Sequence, residues 1–404
     1  MQIRPEAAGF IPSRLQHIDR LVQTRYLDSG RLPGALTLIQ RRGEIAHLST
    51  LGFRDVERRE KVQEDTIFRI YSMTKPITSV AFMMLVEDGL VALEDPVHRY
   101  IPQWRDLGVY EGGFIGTFRT RRPQRPMLIV DLLRHTSGLT YGFQQRTNVD
   151  AAYRRLRLDD FAGTTLDGMI DTLAGLPLEF SPGTTWNYSV ATDVLGYLVG
   201  KLSGQPFEQF LRTRILDPLG MHDTDFHVPA AKLSRLSTCY AVTPEGGMHL
   251  QDDARASRYA KPPQLVSGGG GLVSTAGDYL RFCRMLLAGG TLDGVRILSP
   301  KTIELMTSNH LPDGKELPDL SVSLFSEAAY AGVGFGLGFS VTLDPARTLL
   351  PGTAGDYSWG GLASTYFWID PREEMIVIFM TQLMPSTTYP LRRELRTAIY
   401  SAFA

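Results

Sequence analysis

The sequence predicts an α+β protein with two lobes, one built on an antiparallel sheet and the other mostly helical. The chain has 404 residues, 43% of them hydrophobic, which is more than one simple domain requires. β-prone runs cluster near both ends of the chain, whereas the middle has helical periodicity and few strand signals. We therefore expect a discontinuous sheet domain formed by residues 1–90 and 255–404, and a mostly helical domain formed by residues 91–254.

Ordinary local signals place the elements of the sheet domain. Residues 34–40 and 44–51 are two β-rich runs separated by Arg41-Arg42-Gly43, which is typical of a hairpin. A short β-prone run at 66–71 leads directly into Ser72. Further strands are predicted at 334–343, 363–369 and 374–381, and helices at 13–28, 73–87, 276–287 and 391–401. The middle is predicted to contain short helices at 130–134, 165–173, 191–202 and 206–215.

Charge and composition exclude several classes of partner. The formal net charge is -1, so no long-range field favours nucleic acid or an anionic membrane. One local basic run, Arg119 to Arg125, contains Pro123, is followed directly by Pro126 and has no interleaved aromatic residue, which predicts a solvated loop rather than a binding patch.

Cysteine usage and the chain ends set expectations about compartment. Cys239 and Cys283 lie among apolar residues without a CxxC pattern, which predicts buried thiols rather than a disulfide scaffold or a zinc site. No secretory signal follows Met1, and no stretch approaches the roughly 20 apolar residues of a membrane span. We expect a cytoplasmic protein without a metal or cofactor, since the spacing of His222 and His227 fits no usual metal motif. The number of subunits stays open.

The segment Ser72-Met73-Thr74-Lys75 is the first candidate for chemistry. On a helix, residues three apart share one face, so the Lys75 side chain can reach the Ser72 oxygen. A buried lysine that is neutral near pH 7 can accept a serine proton. Ser72 also stands where a strand ends and a helix begins, near free backbone N–H groups. On the four residues alone, an N-cap serine with a surface lysine one turn later is the favoured interpretation.

The wider context resembles a known family. The stretches 68–76, 90–96, 132–139, 180–189 and 218–221 are similar to the class C β-lactamase-like serine hydrolases, and most similar to the family VIII carboxylesterases and a related polyketide acyltransferase. The resemblance covers about residues 15–400. It implies a β-lactamase-like fold with the active site in the cleft between the lobes, and an acyl-enzyme on Ser72.

The second motif of this family is Tyr-x-Asn, and Tyr188-Ser189-Val190 stands in its place. By resemblance, Tyr188 shares one mobile proton with Ser72 and Lys75, and a nearby Lys75 cation is expected to lower the high pKa of the tyrosine. Whether Lys75 or Tyr188 takes the proton first stays open. Val190 cannot form the side-chain hydrogen bond made by the family's Asn, which counts against turnover of β-lactams.

The third motif, Lys-Thr-Gly in the β-lactamases, is replaced by Trp359-Gly360-Gly361. Two glycines are expected to allow close approach of the backbone to substrate. By resemblance, the backbone N–H groups of Ser72 and Leu362 form the oxyanion hole. Trp359 removes a carboxylate-binding cation and, with Val190, is expected to favour uncharged esters with short acyl chains.

Several other features receive no catalytic role or keep two readings. His135 is expected to be structural, and Tyr141 either lines the substrate pocket or is a packed aromatic. The run 334–339 has the wrong spacing for a nucleotide-binding glycine motif and predicts part of a single strand.

The main hypothesis is a serine carboxylesterase that acts on small-molecule esters. The alternatives are an acyltransferase that passes the acyl group to an alcohol, a β-lactamase or D-amino acid peptidase, and a non-catalytic binding module.

Overall fold

The computed structural model describes residues 1–158, 160, 163–322 and 331–404, and the predicted α+β class is confirmed. The strands are β1 (Gly34–Arg41), β2 (Glu44–Asp55), β3 (Glu60–Lys61), β4 (Phe68–Arg69), β5 (Val109–Gly112), β6 (Arg119–Arg121), β7 (Cys239–Val242), β8 (Met248–Asp252), β9 (Val273–Ser274), β10 (Thr291–Leu292), β11 (Val295–Arg296), β12 (Val333–Phe335), β13 (Ser340–Thr342), β14 (Tyr357–Gly360), β15 (Tyr366–Asp370), β16 (Met375–Met380) and β17 (Leu383–Met384). The helices are α1 (Pro12–Val22), α2 (Thr74–Glu87), α3 (Ile129–Leu133), α4 (Asn148–Arg155), α5 (Leu166–Leu173), α6 (Ala191–Ser203), α7 (Phe207–Leu211), α8 (Ala276–Leu287), α9 (Pro300–Met306), α10 (Leu317–Leu320), α11 (Pro345–Thr348) and α12 (Leu391–Tyr400).

An antiparallel sheet forms the centre of the sheet domain, in the strand order β12-β13-β14-β15-β16-β1-β2-β3. Its two faces are both buried, and β16 shows why. Ile376 and Ile378 point into the larger core with α2 and α8, whereas Val377 and Phe379 point into a second core with α1 and α12. Because side chains alternate between faces along a strand, a continuous apolar run such as 375–380 fits a strand covered by helices on both sides.

The predicted hairpin at the N-terminal end is confirmed. Arg41 pairs with Glu44, which leaves a two-residue loop in which Arg42 and Gly43 both have positive φ. Positive φ at both loop positions matches the right-handed twist of the flanking strands.

The predicted single strand at 334–343 is wrong. Phe335 pairs with Ser340 in a β12–β13 hairpin whose loop contains Gly338 at φ 100°. An added Cβ on Gly338 would lie 2.6 Å from Cβ of Ser79 in helix α2, so the loop approaches that helix closely. Glycine spacing therefore reflects a turn packed on a helix rather than one strand with a small face.

The middle of the chain holds helices α3, α5, α6 and α7 near their predicted positions, together with α4, which was not predicted, and the hairpins β5–β6 and β7–β8. Strand β7 also pairs with β17, so residues 239–242 are hydrogen-bonded to the C-terminal part of the chain. The domain boundaries at residues 90 and 254 remain predictions. The basic run is not all loop, because Arg119–Arg121 forms strand β6, whose three residues are exposed, and Arg125 pairs with the buried Asp131.

Both cysteines are buried free thiols, as predicted. In the described ranges, no helix is long and apolar enough to cross a membrane. The same ranges contain no group of three or more His, Cys, Asp or Glu side chains placed to hold a metal ion.

Candidate active site

Ser72 lies between strand β4 and helix α2, within a turn of 3-10 helix at Tyr71–Met73. The helix itself begins at Thr74, so Ser72 precedes its cap instead of being the cap, as the sequence had suggested. Tyr71 adopts φ 42°, a left-handed conformation that is uncommon for a tyrosine. This tight passage from strand to helix turns the Ser72 side chain toward the cavity that Ser72 lines.

Three predicted residues converge at the Ser72 hydroxyl. The Tyr188 hydroxyl donates a hydrogen bond of 2.6 Å to Ser72 Oγ, and Lys75 Nζ lies 3.3 Å from the same oxygen. Lys75 is in the first turn of α2, one helical turn after Ser72, as the motif spacing requires. Tyr188 arrives from the segment before helix α6, far along the chain. Both contacts to the serine oxygen lie within proton-transfer range or close to it.

The Lys75 ammonium is held in a dry, mostly neutral environment. Its side chain is only 2% exposed. Nζ donates to the Gly269 carbonyl at 2.6 Å and to the Tyr141 hydroxyl at 3.0 Å, and lies 4.5 Å from the Tyr188 ring centre. Burial lowers the pKa of Lys75 from its usual value to about 7, with the charge of Asp193 acting in the opposite direction. Lys75 can therefore be neutral near pH 7 and accept a proton.

The electrostatics of Tyr188 differ from expectation. Burial raises the pKa of its hydroxyl, and this outweighs the lowering effect of its hydrogen bond to Ser72. The predicted lowering of the tyrosine pKa by Lys75 is therefore wrong, because desolvation dominates at this fully enclosed position. Tyr188 is a neutral proton donor near pH 7, while Lys75 is the group whose pKa suits a base.

Trp359, Gly360, Gly361 and Leu362 all line the same cavity as Ser72. Trp359 and Gly360 end strand β14, and the Trp359 ring lies 5.5 Å from the ring of Tyr188. The two glycines are needed for close packing within the protein, and the predicted approach of their backbone to substrate stays a prediction. A Cβ on Gly360 would collide with the Arg392 guanidinium, and one on Gly361 with the Ile70 carbonyl.

Arg392 is a cavity residue that the sequence reasoning missed. Its guanidinium donates to the carbonyls of Gly361 at 3.1 Å and Thr365 at 2.9 Å, and so braces the turn that contains Leu362. Burial lowers the pKa of Arg392 to about 9, with the Tyr188 hydroxyl acting in the opposite direction. Trp359 stands where the β-lactamases have lysine, and the Arg392 guanidinium is a cationic side chain among the residues that line the cavity.

Asp193 is the second residue that the sequence reasoning missed. It lies in the first turn of α6 with 3% of its surface exposed. Its carboxylate accepts hydrogen bonds from Ser267 Oγ at 2.5 Å and from the Gly269 N–H at 3.0 Å. Burial raises the pKa of this carboxyl, and the Lys75 charge lowers it.

The remaining predicted residues divide. Tyr141 lines the cavity, and its hydroxyl also contacts Lys75, so both readings of this residue hold in part. Val190 is fully buried at the start of α6 and is outside the described residues that line the cavity, so the predicted contact with substrate lacks support. His135 is buried against Tyr188 and Trp186, and its pKa is held well below the usual value by burial and by Lys75.

The cavity around Ser72 has a volume of about 520 Å³. That volume is typical of sites for drug-sized ligands and exceeds what a short-chain ester needs. Aromatic side chains form much of its wall near the serine. These are Tyr71, Tyr141, Phe143, Tyr188, Trp359 and Tyr366.

Comparison with known proteins places this chain in a family. The family model described as Beta-lactamase matches residues 17–401. The chain belongs to the beta-lactamase family. The predicted β-lactamase-like fold is thereby confirmed.

The relatives of this chain within the beta-lactamase family include an esterase. This chain is 39% identical over 361 residues to Protein Rv1367c of Mycobacterium tuberculosis, and the match covers 89% of this chain and 88% of that protein. This chain is 31% identical over 395 residues to Esterase EstB of Burkholderia gladioli, and the match covers 92% of this chain and 91% of that protein. The solved structure of EstCE1, described as a hydrolase with promiscuous acyltransferase activity, superposes with a TM-score of 0.81 at 27% identity, covering 96% and 99%. The predicted resemblance to the esterase branch is confirmed, and the reaction class supported is ester hydrolysis or acyl transfer.

Proposed function

We propose that this protein is a serine carboxylesterase that works through an acyl-enzyme on Ser72. The observation that carries the proposal is the convergence of Lys75 Nζ and the Tyr188 hydroxyl on one serine oxygen that lines a large cavity. The similarity to Esterase EstB supports the same reaction class. A non-catalytic binding module would have no need for a buried lysine whose pKa falls near 7.

Acylation begins with proton transfer to Lys75. Neutral Lys75 takes the proton of Ser72 Oγ across 3.3 Å as that oxygen attacks the ester carbonyl. The structure favours Lys75 over Tyr188 as first base, because the pKa of Tyr188 is raised above that of an ordinary phenol. Tyr188 instead donates its hydrogen bond to the reacting oxygen.

The negative charge on the carbonyl oxygen needs donors. We assign this role to the backbone N–H groups of Ser72 and Leu362, which both belong to residues lining the cavity. The Leu362 N–H is carried on a turn closed by the Gly361 N–H bond to the Thr365 carbonyl at 2.9 Å. Arg392 binds the carbonyls of the same turn, so its guanidinium helps to fix the direction of that N–H.

Collapse of the tetrahedral intermediate releases the alcohol. Tyr188 gives its proton to the departing alkoxide oxygen, and protonated Lys75 returns a proton to Tyr188. The ester C–O bond breaks, the bond between Ser72 Oγ and the acyl carbon remains, and the net products are acyl-enzyme and alcohol. Water then attacks the acyl carbon while neutral Lys75 takes its proton, the bond between Ser72 Oγ and the acyl carbon breaks, and protonated Lys75 returns the proton to Ser72 Oγ as the acid leaves.

We propose a wider substrate range than the sequence suggested. Short uncharged esters were expected from Trp359 and Val190, but Val190 is not among the described lining residues and Arg392 is. A cavity of about 520 Å³ favours an ester whose acyl or alcohol part is bulky. The aromatic wall around Tyr141 and Trp359 favours apolar or ring-containing groups near the reacting carbonyl.

Acyl transfer to an alcohol is the second candidate function. It rests on the structural similarity to EstCE1, described as a hydrolase with promiscuous acyltransferase activity. An alcohol that enters this cavity in place of water would attack the same acyl-enzyme. Hydrolysis and transfer share every residue proposed above, so only the ratio of acid to new ester separates them.

Covalent labelling tests the proposed function. A fluorophosphonate probe should label Ser72, as read by peptide mass spectrometry, and the Ser72→Ala variant should lose both labelling and esterase activity. Ser29→Ala, a change at an exposed serine in the same lobe, is the matched control and should retain both. Labelling of wild type at another residue, or persistent ester turnover in Ser72→Ala, would contradict the proposal. Turnover of p-nitrophenyl butyrate beside a chromogenic cephalosporin, with and without added alcohol, ranks hydrolysis, transfer and β-lactamase activity.

A further inference from the structure

Asp193 is a buried carboxylate next to the candidate active site, and the mechanism above does not use it. It stands three residues after Val190, the residue that caps helix α6, and its own backbone N–H bonds to the Val190 carbonyl. The same helix start carries Tyr188 just before it. Asp193 and Tyr188 therefore reach the surroundings of Lys75 from one short segment of chain.

Asp193 is connected to Lys75 through hydrogen bonds to one intervening residue, Gly269. Its carboxylate accepts the N–H of Gly269 at 3.0 Å, and the carbonyl of the same Gly269 accepts from Lys75 Nζ at 2.6 Å. The fit around Gly269 is tight, since an added Cβ would lie 2.6 Å from an Asp193 carboxylate oxygen and 2.9 Å from the Tyr141 hydroxyl. Ser267 Oγ gives the carboxylate a further hydrogen bond.

The charged and titratable groups that face Lys75 come from several elements. Tyr141 and His135 belong to the segment between α3 and α4, Tyr188 precedes α6, and Asp193 lies in α6. Tyr188 is neutral near pH 7 because burial raises the pKa of its hydroxyl. His135 is neutral because its pKa is lowered. Among these groups, Asp193 is the carboxyl group: burial raises its pKa and the Lys75 charge lowers it, while its own charge acts to raise the pKa of Lys75.

We propose that Asp193 is a positioning residue that acts through Lys75, holding the Gly269 carbonyl on Nζ and supplying the countercharge that keeps the lysine basic enough to accept the Ser72 proton. The inference rests on the proposed function, since it concerns the same proton transfer. Burial alone disfavours the lysine cation, and the nearby carboxylate opposes that effect. Without the carboxylate, Lys75 is a weaker base that is neutral over a wider pH range.

This role predicts a specific change in the pH profile. A purely structural role for Asp193 would lower the labelling rate at every pH, without moving the pH at which Lys75 loses its proton. An electrostatic role moves that pH downward when the charge is removed, because loss of a nearby negative charge favours the neutral lysine.

The experiment measures the rate of fluorophosphonate labelling of Ser72 against pH in the full-length protein. In Asp193→Asn, the rising limb should move to lower pH by roughly one unit or more relative to wild type. Asp278→Asn is the matched control, since Asp278 is also a buried carboxylate three residues after a helix cap, but it faces Thr224 and Asp223. In Asp278→Asn, the labelling rate should rise over the same pH range as in wild type.

The outcomes are distinguishable. A limb that is unmoved or moves upward in folded Asp193→Asn overturns the role of Asp193, whereas absence of Ser72 labelling in wild type overturns the proposed function itself. If Asp193→Asn does not fold, isotope-edited infrared spectroscopy of wild type with labelled aspartate decides. An ionised carboxylate signal that responds to Ser267→Ala across the pH range where Lys75 titrates supports the inference. A protonated Asp193 throughout that range contradicts it.

Discussion

The Tyr188 hydroxyl donates a 2.6 Å hydrogen bond to Ser72 Oγ. The site that holds the two residues together also buries the tyrosine, and this burial raises the pKa of its hydroxyl. The same desolvation lowers the pKa of Lys75 to about 7. Burial disfavours the charged form of each group, so it makes the tyrosine a poorer base and the lysine a better-matched one. One physical effect therefore separates the roles of the two residues near neutral pH.

The pH dependence of ester hydrolysis should report Lys75. Below its pKa of about 7 the lysine is protonated and cannot accept the Ser72 proton, so kcat/KM should rise with pH through about 7 and then level. Steady-state kinetics with p-nitrophenyl butyrate measure this limb. Lys75→Arg, which stays protonated, should lose activity across the range by about 10²-fold or more. A limb that appears only near the pKa of an ordinary tyrosine would instead identify Tyr188 as the base.

Replacement of Tyr188 by phenylalanine should affect substrates unequally. If Tyr188 protonates the leaving oxygen, Tyr188→Phe should slow acylation by alkyl esters by roughly 10²–10⁴-fold, the usual contribution of a general acid. A p-nitrophenyl ester, whose leaving group departs without a proton, should lose less. Single-turnover rates for a matched alkyl and p-nitrophenyl pair measure the contrast. Equal losses for both would argue that Tyr188 only orients Ser72.

Motif spacing together with resemblance to the family was sufficient to find Ser72, Lys75 and Tyr188 as candidates. A helix forces Ser72 and Lys75 onto one face, and the sequence around Tyr188 resembles the second motif of the family. The direction of the Tyr188 pKa shift could not be predicted in this way. It depends on how completely the surrounding chain excludes water, which is a property of the assembled fold.

Asp193 and Arg392 were missed for a related reason. Each stands in an ordinary helical position, in the first turn of α6 and of α12, where a charged residue usually points to solvent. Their contacts to Gly269 and Gly361 join segments distant in sequence. The only local signal was the glycine content of those segments, which marks close approach but does not identify the approaching side chain.

Removal of the Arg392 guanidinium should loosen the turn that carries Leu362. Arg392→Met deletes two hydrogen bonds from a charged donor to the Gly361 and Thr365 carbonyls, each worth about 1.5–3 kcal/mol. If part of that energy holds the Leu362 N–H in place, kcat should fall at least about tenfold, the change that corresponds to about 1.4 kcal/mol. Steady-state kinetics and thermal unfolding separate this effect from general instability.

The neighbouring Arg393 provides the control for Arg392. It contacts the Thr348 carbonyl at 3.3 Å, in a different segment from the Leu362 turn. Arg393→Met should therefore retain kcat more closely than Arg392→Met at comparable stability. Equal effects of the two substitutions would show that the charge of the cavity, rather than the brace on the turn, determines the rate.

The β12–β13 turn makes a prediction about stability. Gly338→Ala places a Cβ at φ 100° and against Ser79 of helix α2, whereas Gly43→Ala places one at φ 80° with no atom within 4 Å. Both substitutions incur the cost of a left-handed conformation, about 1 kcal/mol or more, and only Gly338→Ala adds a clash in the core. Chemical denaturation should show a loss of unfolding free energy for Gly338→Ala that exceeds that for Gly43→Ala by about 1–3 kcal/mol. Equal losses would mean that the turn is not tightly packed on α2.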